Sequence, residues 1–194
     1  MENFFNIVWF KRDLRVSDHL PLLTASKENI PFIPLYILEE EYWKQKFSSL
    51  RHWSFVYDCL VELDNDLSLI GQPLIIKKGH SINVFNNILS DFKIKKIFAH
   101  EETSNLWVKN RNTEVKNWCS TNSIELIEYP TNGVVRDIIS RDDWSKIKNK
   151  RLQSEIISTP QRIKKIDNIS SNRISKNSIV FDDEREIKIQ VGGR

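Results

Sequence analysis

Phe4-Phe5-Asn6-Ile7-Val8-Trp9-Phe10 is a nearly continuous apolar run, too short for a core helix, and it reads as a strand buried on both faces. Apolar positions at Leu20, Leu22, Leu23 and Ala25 then follow helical spacing and predict a short helix over 19–28, with Pro21 tolerated in its first turn. Residues 31–38 (Pro-Phe-Ile-Pro-Leu-Tyr-Ile-Leu) form a second apolar strand. The longest periodic segment recurs at Leu50, Trp53, Val56, Tyr57, Leu60, Leu63, Leu67 and Ile70, with Ser48 or Ser49 as its cap and Gly71 as its end. Leu74-Ile75-Ile76 predicts a third strand ending at Gly79, 81–92 a helix, 96–99 a fourth strand, 103–121 a helix and 124–127 a fifth strand. Strictly alternating strands and helices imply a parallel sheet with helices on both faces, because parallel strands need crossovers.

Beyond Asn132-Gly133 the pattern weakens. A charged helix is predicted over 141–153, capped by Ser140 and anchored by Trp144 and Ile147. Residues 168–178 are polar and poor in large side chains, which predicts a flexible linker.

Composition bounds the class. With 194 residues, 40% hydrophobic and 28% charged, the chain suits one core-bearing globular domain and has no membrane-spanning run. Met1-Glu2-Asn3 lacks a basic leader region, so a cytoplasmic location is expected. Cys59 and Cys119 show no metal-ligand spacing and read as reduced, packed thiols, with no metal site expected. The residues from 141 onward carry 13 Lys/Arg against 8 Asp/Glu, whereas the first 140 are slightly acidic. Such a basic tail reads as a solvated linker, with nucleic-acid contact as the alternative.

Ligands of an open α/β sheet bind beyond the carboxyl ends of its strands. The segments there are Lys11 to His19, Glu39 to Trp43 and His100 to Trp107, each mixing charge with aromatic neighbours. None has the glycine pattern of a dinucleotide or triphosphate cradle, and the chain has only five glycines. Each polar group also has a structural reading. Arg12, Asp13 and Arg15 can form a salt-bridged turn, Asp18 can cap the first helix, and His100 can be a buried, satisfied strand-end histidine. Glu101 and Glu102 precede a helix, where its dipole favours them. Trp53 belongs to the core stripe, and Trp43 and Trp107 are open to either packing or ligand stacking.

Val8 to His19 (Val-Trp-Phe-Lys-Arg-Asp-Leu-Arg-Val-Ser-Asp-His) resembles the opening signature of DNA photolyases and cryptochromes, with Lys11 in place of the usual arginine. His100-Glu101-Glu102-Thr103 through Trp107, and Gly133-Val134-Val135-Arg136, are similar to a bacterial branch of that family. The resemblance implies a Rossmann-like five-stranded sheet of order 3-2-1-4-5 over residues 1–135, followed at 136–194 by a partly helical, basic linker. It implies an antenna chromophore (a folate, a deazaflavin or a ribityllumazine) held near Arg12, Tyr36, Leu38, Glu39, Glu101, Glu102 and Trp107. It also implies that FAD, the lesion groove and DNA contact belong to a helical domain outside this sequence, supplied by a separately encoded partner if the chain works in repair. No catalytic residue is then expected here, and FAD is not expected to bind this chain alone. A standalone Rossmann-like ligand-binding module and a truncated remnant are the alternatives.

Overall fold

The computed structural model describes residues 4–131, 134–135, 140–181 and 191–193. The expectations attached to Met1-Glu2-Asn3, Asn132-Gly133 and Arg136 lie outside these residues, and so do the start and part of the end of the 136–194 segment.

The elements alternate as the apolar pattern requires: β1 (Phe4–Phe10), α1 (Leu20–Lys27), β2 (Phe32–Leu38), α2 (Glu40–Trp43), α3 (Leu50–Leu69), β3 (Ile75–Lys78), α4 (Ser81–Asp91), β4 (Lys93–His100), α5 (Leu106–Thr121), β5 (Glu125–Tyr129) and α6 (Arg141–Leu152). All five strands are parallel, in the order β3-β2-β1-β4-β5. Successive strand residues point to opposite faces, and β1 divides the core accordingly. Val8 and Phe10 pack with Leu22, Trp53, Leu60 and Leu67 under α1 and α3, while Ile7 and Trp9 pack with Val84, Phe85, Ile88 and Val115 under α4 and α5. Both faces are covered, so β2 and the second half of β1 are buried throughout and carry no polar alternation.

Several local readings change. Asp18 does not cap α1. It adopts φ 51°, and the cap is His19, whose Nδ1 accepts from Leu22 N at 3.1 Å. Ser49 caps α3, and Gly71 closes it at φ 125°. The one-turn helix α2 escaped the periodicity because four residues are too few to show a helical repeat. Helix α6 starts at Ser140 as expected, but Trp144 is only half-buried and Ile147 is exposed, so neither anchors it in a core.

The polar stretch 168–178 is not a free linker. In the order 3-2-1-4-5, β3 is an edge strand whose backbone groups would otherwise lie open. Asn172 N donates to Ile76 O at 2.7 Å, Ile76 N donates to Ser171 Oγ at 2.9 Å, and Lys78 N donates to Asn172 Oδ1 at 3.0 Å. Ile163 and Ile166 are buried on either side, and Ile163 N donates to Ile70 O at 2.7 Å. Its low hydrophobicity reflects this duty: serine and asparagine side chains satisfy the edge, and a few isoleucines pin the segment.

Candidate functional site

The strand order reverses between β1 and β4, so the segments leaving these strands diverge and leave a crevice at their carboxyl ends. A cleft of about 900 Å³ occupies it, bounded by the β1 exit, the end of β2, α2, the first turns of α3 and the start of α5.

Arg111 forms the inner wall. It lies on the buried stripe of α5 with Val108, Val115 and Cys119. Its guanidinium carbon sits 4.8 Å from the Trp9 ring centroid and 5.8 Å from that of Trp107. Arg111 Nη1 donates to Glu39 Oε2 at 2.7 Å and Nη2 donates to Glu102 Oε2. Glu39 also accepts from Ser81 Oγ at the head of α4. Burial pushes the Glu39 carboxyl above its ordinary value, and the Arg111 charge and the Ser81 hydrogen bond offset only part of that rise. Burial likewise raises the Tyr36 hydroxyl, helped by the charges of Glu39 and Glu102. Arg111 Nε is buried and has no hydrogen-bond partner among the described residues.

Arg12 closes the outer side. Its Nε lies 3.8 Å from Glu102 Oε1, and its terminal nitrogens donate to Ser104 Oγ at 3.2 Å and Tyr42 Oη at 3.1 Å. Tyr42 in turn packs edge-on against Trp43 and Trp107, at 5.3 and 5.4 Å between centroids. The arrangement joins aromatic walls to two buried carboxylates, the buried Arg111 guanidinium and the exposed guanidinium of Arg12. It can hold the edge of a planar, hydrogen-bonding ring.

Of the residues singled out from sequence, Arg12, Tyr36, Glu39, Glu102 and Trp107 all line this cleft. Leu38 and Glu101 do not. Leu38 is fully buried in the core beside α3, and Glu101 faces a smaller recess of about 180 Å³ with Asp13, His100 and Thr131. Glu102 lines both the cleft and this recess, whereas Glu101 lines only the recess. Trp43 is buried and forms part of the wall. Sequence reasoning missed Arg111, although a lone arginine on the apolar stripe Val108-Val115-Cys119 was a legible signal.

Behind the crevice lies a second cluster. Asp13 does not join Arg12 or Arg15 in a salt-bridged turn; Arg15 instead reaches Ser17 O, Asp18 O and, at 3.5 Å, Asp18 Oδ2. Asp13 Oδ2 bonds His19 Nε2 at 2.8 Å and His100 Nδ1 at 2.6 Å, while Oδ1 accepts from Lys11 N at 2.9 Å. Burial alone would raise the Asp13 carboxyl, but the His100 and His19 hydrogen bonds overcome it and hold the group well below its ordinary value. Burial lowers His19, against a partial rise from Asp13. Two imidazoles and a carboxylate within 4.8 Å of one another are a conceivable metal set. The tautomer argues otherwise: His19 Nδ1 is an acceptor for Leu22 N, so Nε2 carries the proton and donates to Asp13. The cluster is a strut tying the β1 exit, α1 and the end of β4 together, and His100 is the buried, satisfied histidine that its position suggested.

The family model for DNA photolyase matches residues 6–143. The chain belongs to this family. It is 27% identical over 129 residues to cryptochrome-1 of Aedes aegypti, an overlap of 63% of this chain and 24% of that relative. It is 32% identical over 104 residues to the chloroplastic/mitochondrial cryptochrome DASH of Arabidopsis thaliana (50% and 18%). The chain spans about a quarter of the length of the curated relatives that it matches. Among solved structures, a Synechocystis cryptochrome covers all of this chain with 44% of its own, at TM-score 0.79 and 18% identity. An archaeal photolyase from Sulfolobus tokodaii, described with two FAD molecules and an implied novel light-harvesting cofactor, covers 86% with 40% of its own, at TM-score 0.71 and 21% identity. At these identities the structural likeness speaks for the fold, which is the N-terminal α/β domain of the photolyase family. Among the described residues no helix is long and apolar enough to cross a membrane.

Proposed function

We propose that this photolyase-family domain is a light-collecting module whose cleft binds a planar antenna chromophore of the folate, deazaflavin or ribityllumazine type. The observation that carries the reading is the aromatic-walled cleft at the β1/β4 reversal, with Glu39, Arg111 and Glu102 hydrogen-bonded along its inner wall. Trp107 and Tyr42 offer ring faces, Glu102 offers a carboxylate to a ring N–H, and the buried Arg111 Nε is a donor still lacking an acceptor. These groups fit a heteroaromatic ring with polar edges better than a bare phosphate. The cofactor implied for the Sulfolobus tokodaii photolyase lends the same support. When bound, the chromophore would absorb light and pass its excitation on. The chain's own residues hold the ring, fix its orientation and shield it from water.

Repair of pyrimidine dimers, in this reading, belongs to an assembly in which a flavin-binding helical domain receives the excitation and alone contacts DNA. That domain is either continuous with this sequence or supplied by a separate chain, and the assembly works in the cytoplasm. The chain of these 194 residues is then not competent for repair by itself. Thermal-shift titration with folates, deazaflavins, lumazines and ATP tests the binding step, since ligand at about 100 times Kd adds about 2.7 kcal/mol to the folded state. Stabilisation by ATP alone would sink the proposal. Illumination of the isolated chain with FAD and dimer-containing DNA should split nothing; measurable splitting would overturn the division of labour.

A further inference from the structure

One face of α3 holds two consecutive glycines, Gly192 and Gly193, although the sequence has only five glycines in all. Gly192 N donates to Asp58 Oδ2 and Gly193 N donates to Cys59 Sγ, each at 3.3 Å. A Cβ on Gly192 would strike Phe55 O, a carbonyl fixed inside the helix, and would come within 3.0 Å of Cys59 Sγ. Gly193 adopts φ 95°, where a side chain is strained, and a Cβ there would meet the Glu62 carboxylate. An approach this close between backbone and helix is open to glycine alone.

Asp58 is the keeper of the contact. Its Oδ2 takes Gly192 N and its Oδ1 takes Lys176 Nζ at 3.0 Å, so one carboxylate holds two segments to the helix. Lys176 is fixed nearby, because its carbonyl accepts from Trp53 Nε1 at 2.8 Å. The same turns of α3 also face the cleft: Phe55 and Cys59 line its outer end and meet the glycine pair. A ligand reaching that end and the seated glycines therefore share two residues. Two events that steady the same groups favour one another, and the coupling is reciprocal.

Resting on the reading of the cleft as a ligand site, we propose that the α3 face from Phe55 to Glu62 is a docking site for the chain's own Gly192-Gly193 pair, and that the seated pair latches the outer end of the cleft. With the latch seated, Cys59 is covered and a bound ring leaves slowly. With it lifted, the thiol opens to reagents and the ring escapes.

Modification of Cys59 by a disulfide reagent, located by peptide mass mapping, reads the latch without any ligand. Gly192→Ala and Gly193→Ala should each speed it roughly fivefold or more, as expected when a locally closed segment is strained open. Val191→Ala, next to the pair but at an exposed side chain, should leave the rate unchanged. Cys119 lies under α5 on the other face of the sheet, so release of a latch speeds Cys59 alone, whereas general unfolding exposes both thiols. Folic acid and a ribityllumazine are the cleft probes, with dissociation followed by stopped-flow tryptophan fluorescence. For a probe that binds, Gly192→Ala should raise the dissociation rate by a similar factor, and saturation of the parent should slow Cys59 modification. Parent rates at Cys59 in both glycine variants, or acceleration matched at Cys119 or by Val191→Ala, overturn the latch and leave the chromophore reading standing. Faster Cys59 modification with unchanged probe dissociation overturns its coupling to the cleft. Failure of both probes to bind counts against the chromophore reading alone, because the Cys59 rates still decide the latch.

Discussion

Replacing Asp13 by alanine removes the one acceptor shared by the β1 exit, α1 and the end of β4. Three donors lose it: His100 Nδ1 at 2.6 Å, His19 Nε2 at 2.8 Å and Lys11 N at 2.9 Å. Both imidazoles are buried, with His19 1% and His100 4% exposed, so water cannot replace the carboxylate without opening the structure. A stranded buried donor costs about 1–3 kcal/mol, and breaking a buried charged cluster costs about 3–5 kcal/mol. A loss of about 4 kcal/mol near neutral pH is expected. For a domain of this size each kcal/mol moves Tm by about 2–4 °C, so the midpoint should fall by about 8 °C or more. Urea unfolding followed by tryptophan fluorescence measures the change, with an unaltered m-value as the check that only stability moved. Asp13→Asn, which keeps one acceptor oxygen, should fall between the two. The pH dependence has a definite sign. His19 and Asp13 are both held below their ordinary values of 6.5 and 3.8, so acidification protonates the unfolded chain first. Their stabilisation is complete above about 6.5, declines from there through the His19 range, and declines again below 3.8 as Asp13 titrates. The first limb persists in Asp13→Ala because His19 stays buried; the second is reduced. A variant within about 1 kcal/mol of the parent, with the same m-value, would refute the strut.

The remaining predictions concern separate parts of the molecule. Arg111→Met strands Glu39 and Glu102 and should cost about 3–5 kcal/mol at neutral pH. Because the folded-state Glu39 carboxyl is already raised, its contribution is fully present below 4.5 and lost as pH rises, so the deficit of the variant should narrow in acid. Gly71→Ala adds a Cβ 2.5 Å from Ile163 O at a residue with φ 125°, and strain of about 1–3 kcal/mol is expected; trypsin should then cut more readily at Lys164 or Lys165. Burial pushes the Cys119 thiol up to about 12, so a disulfide reagent should modify the partly exposed Cys59 in the native protein and Cys119 only on unfolding. Addition of Zn²⁺ should leave Tm unchanged, since the His19 tautomer turns its Nε2 proton toward Asp13.

The sheet, its parallel sense and its double-sided burial followed from the sequence alone, because period and composition are local properties that a short window displays. The Phe4–Phe10 and Phe32–Leu38 runs could not alternate polar residues with both faces covered. The strand order came from family resemblance, and the coordinates bear it out. Five cleft residues were named through the family resemblance, and three of them, Arg12, Glu39 and Glu102, also stand just past strand ends, where an α/β sheet gathers its ligands. Tertiary structure decided the rest. That Glu102 rather than Glu101 lines the cleft depends on the path of the chain as it leaves β4, which composition does not carry. Arg111 and Asp13 gain their partners across 72 and 87 positions of sequence, in Glu39 and His100 respectively, so although Arg111 stands out on its apolar stripe, no local pattern says which groups either residue meets. The polar segment 168–178 looked free for the same reason: its hydrogen bonds run to a β3 edge some 95 residues away, and only the folded sheet makes that edge exist.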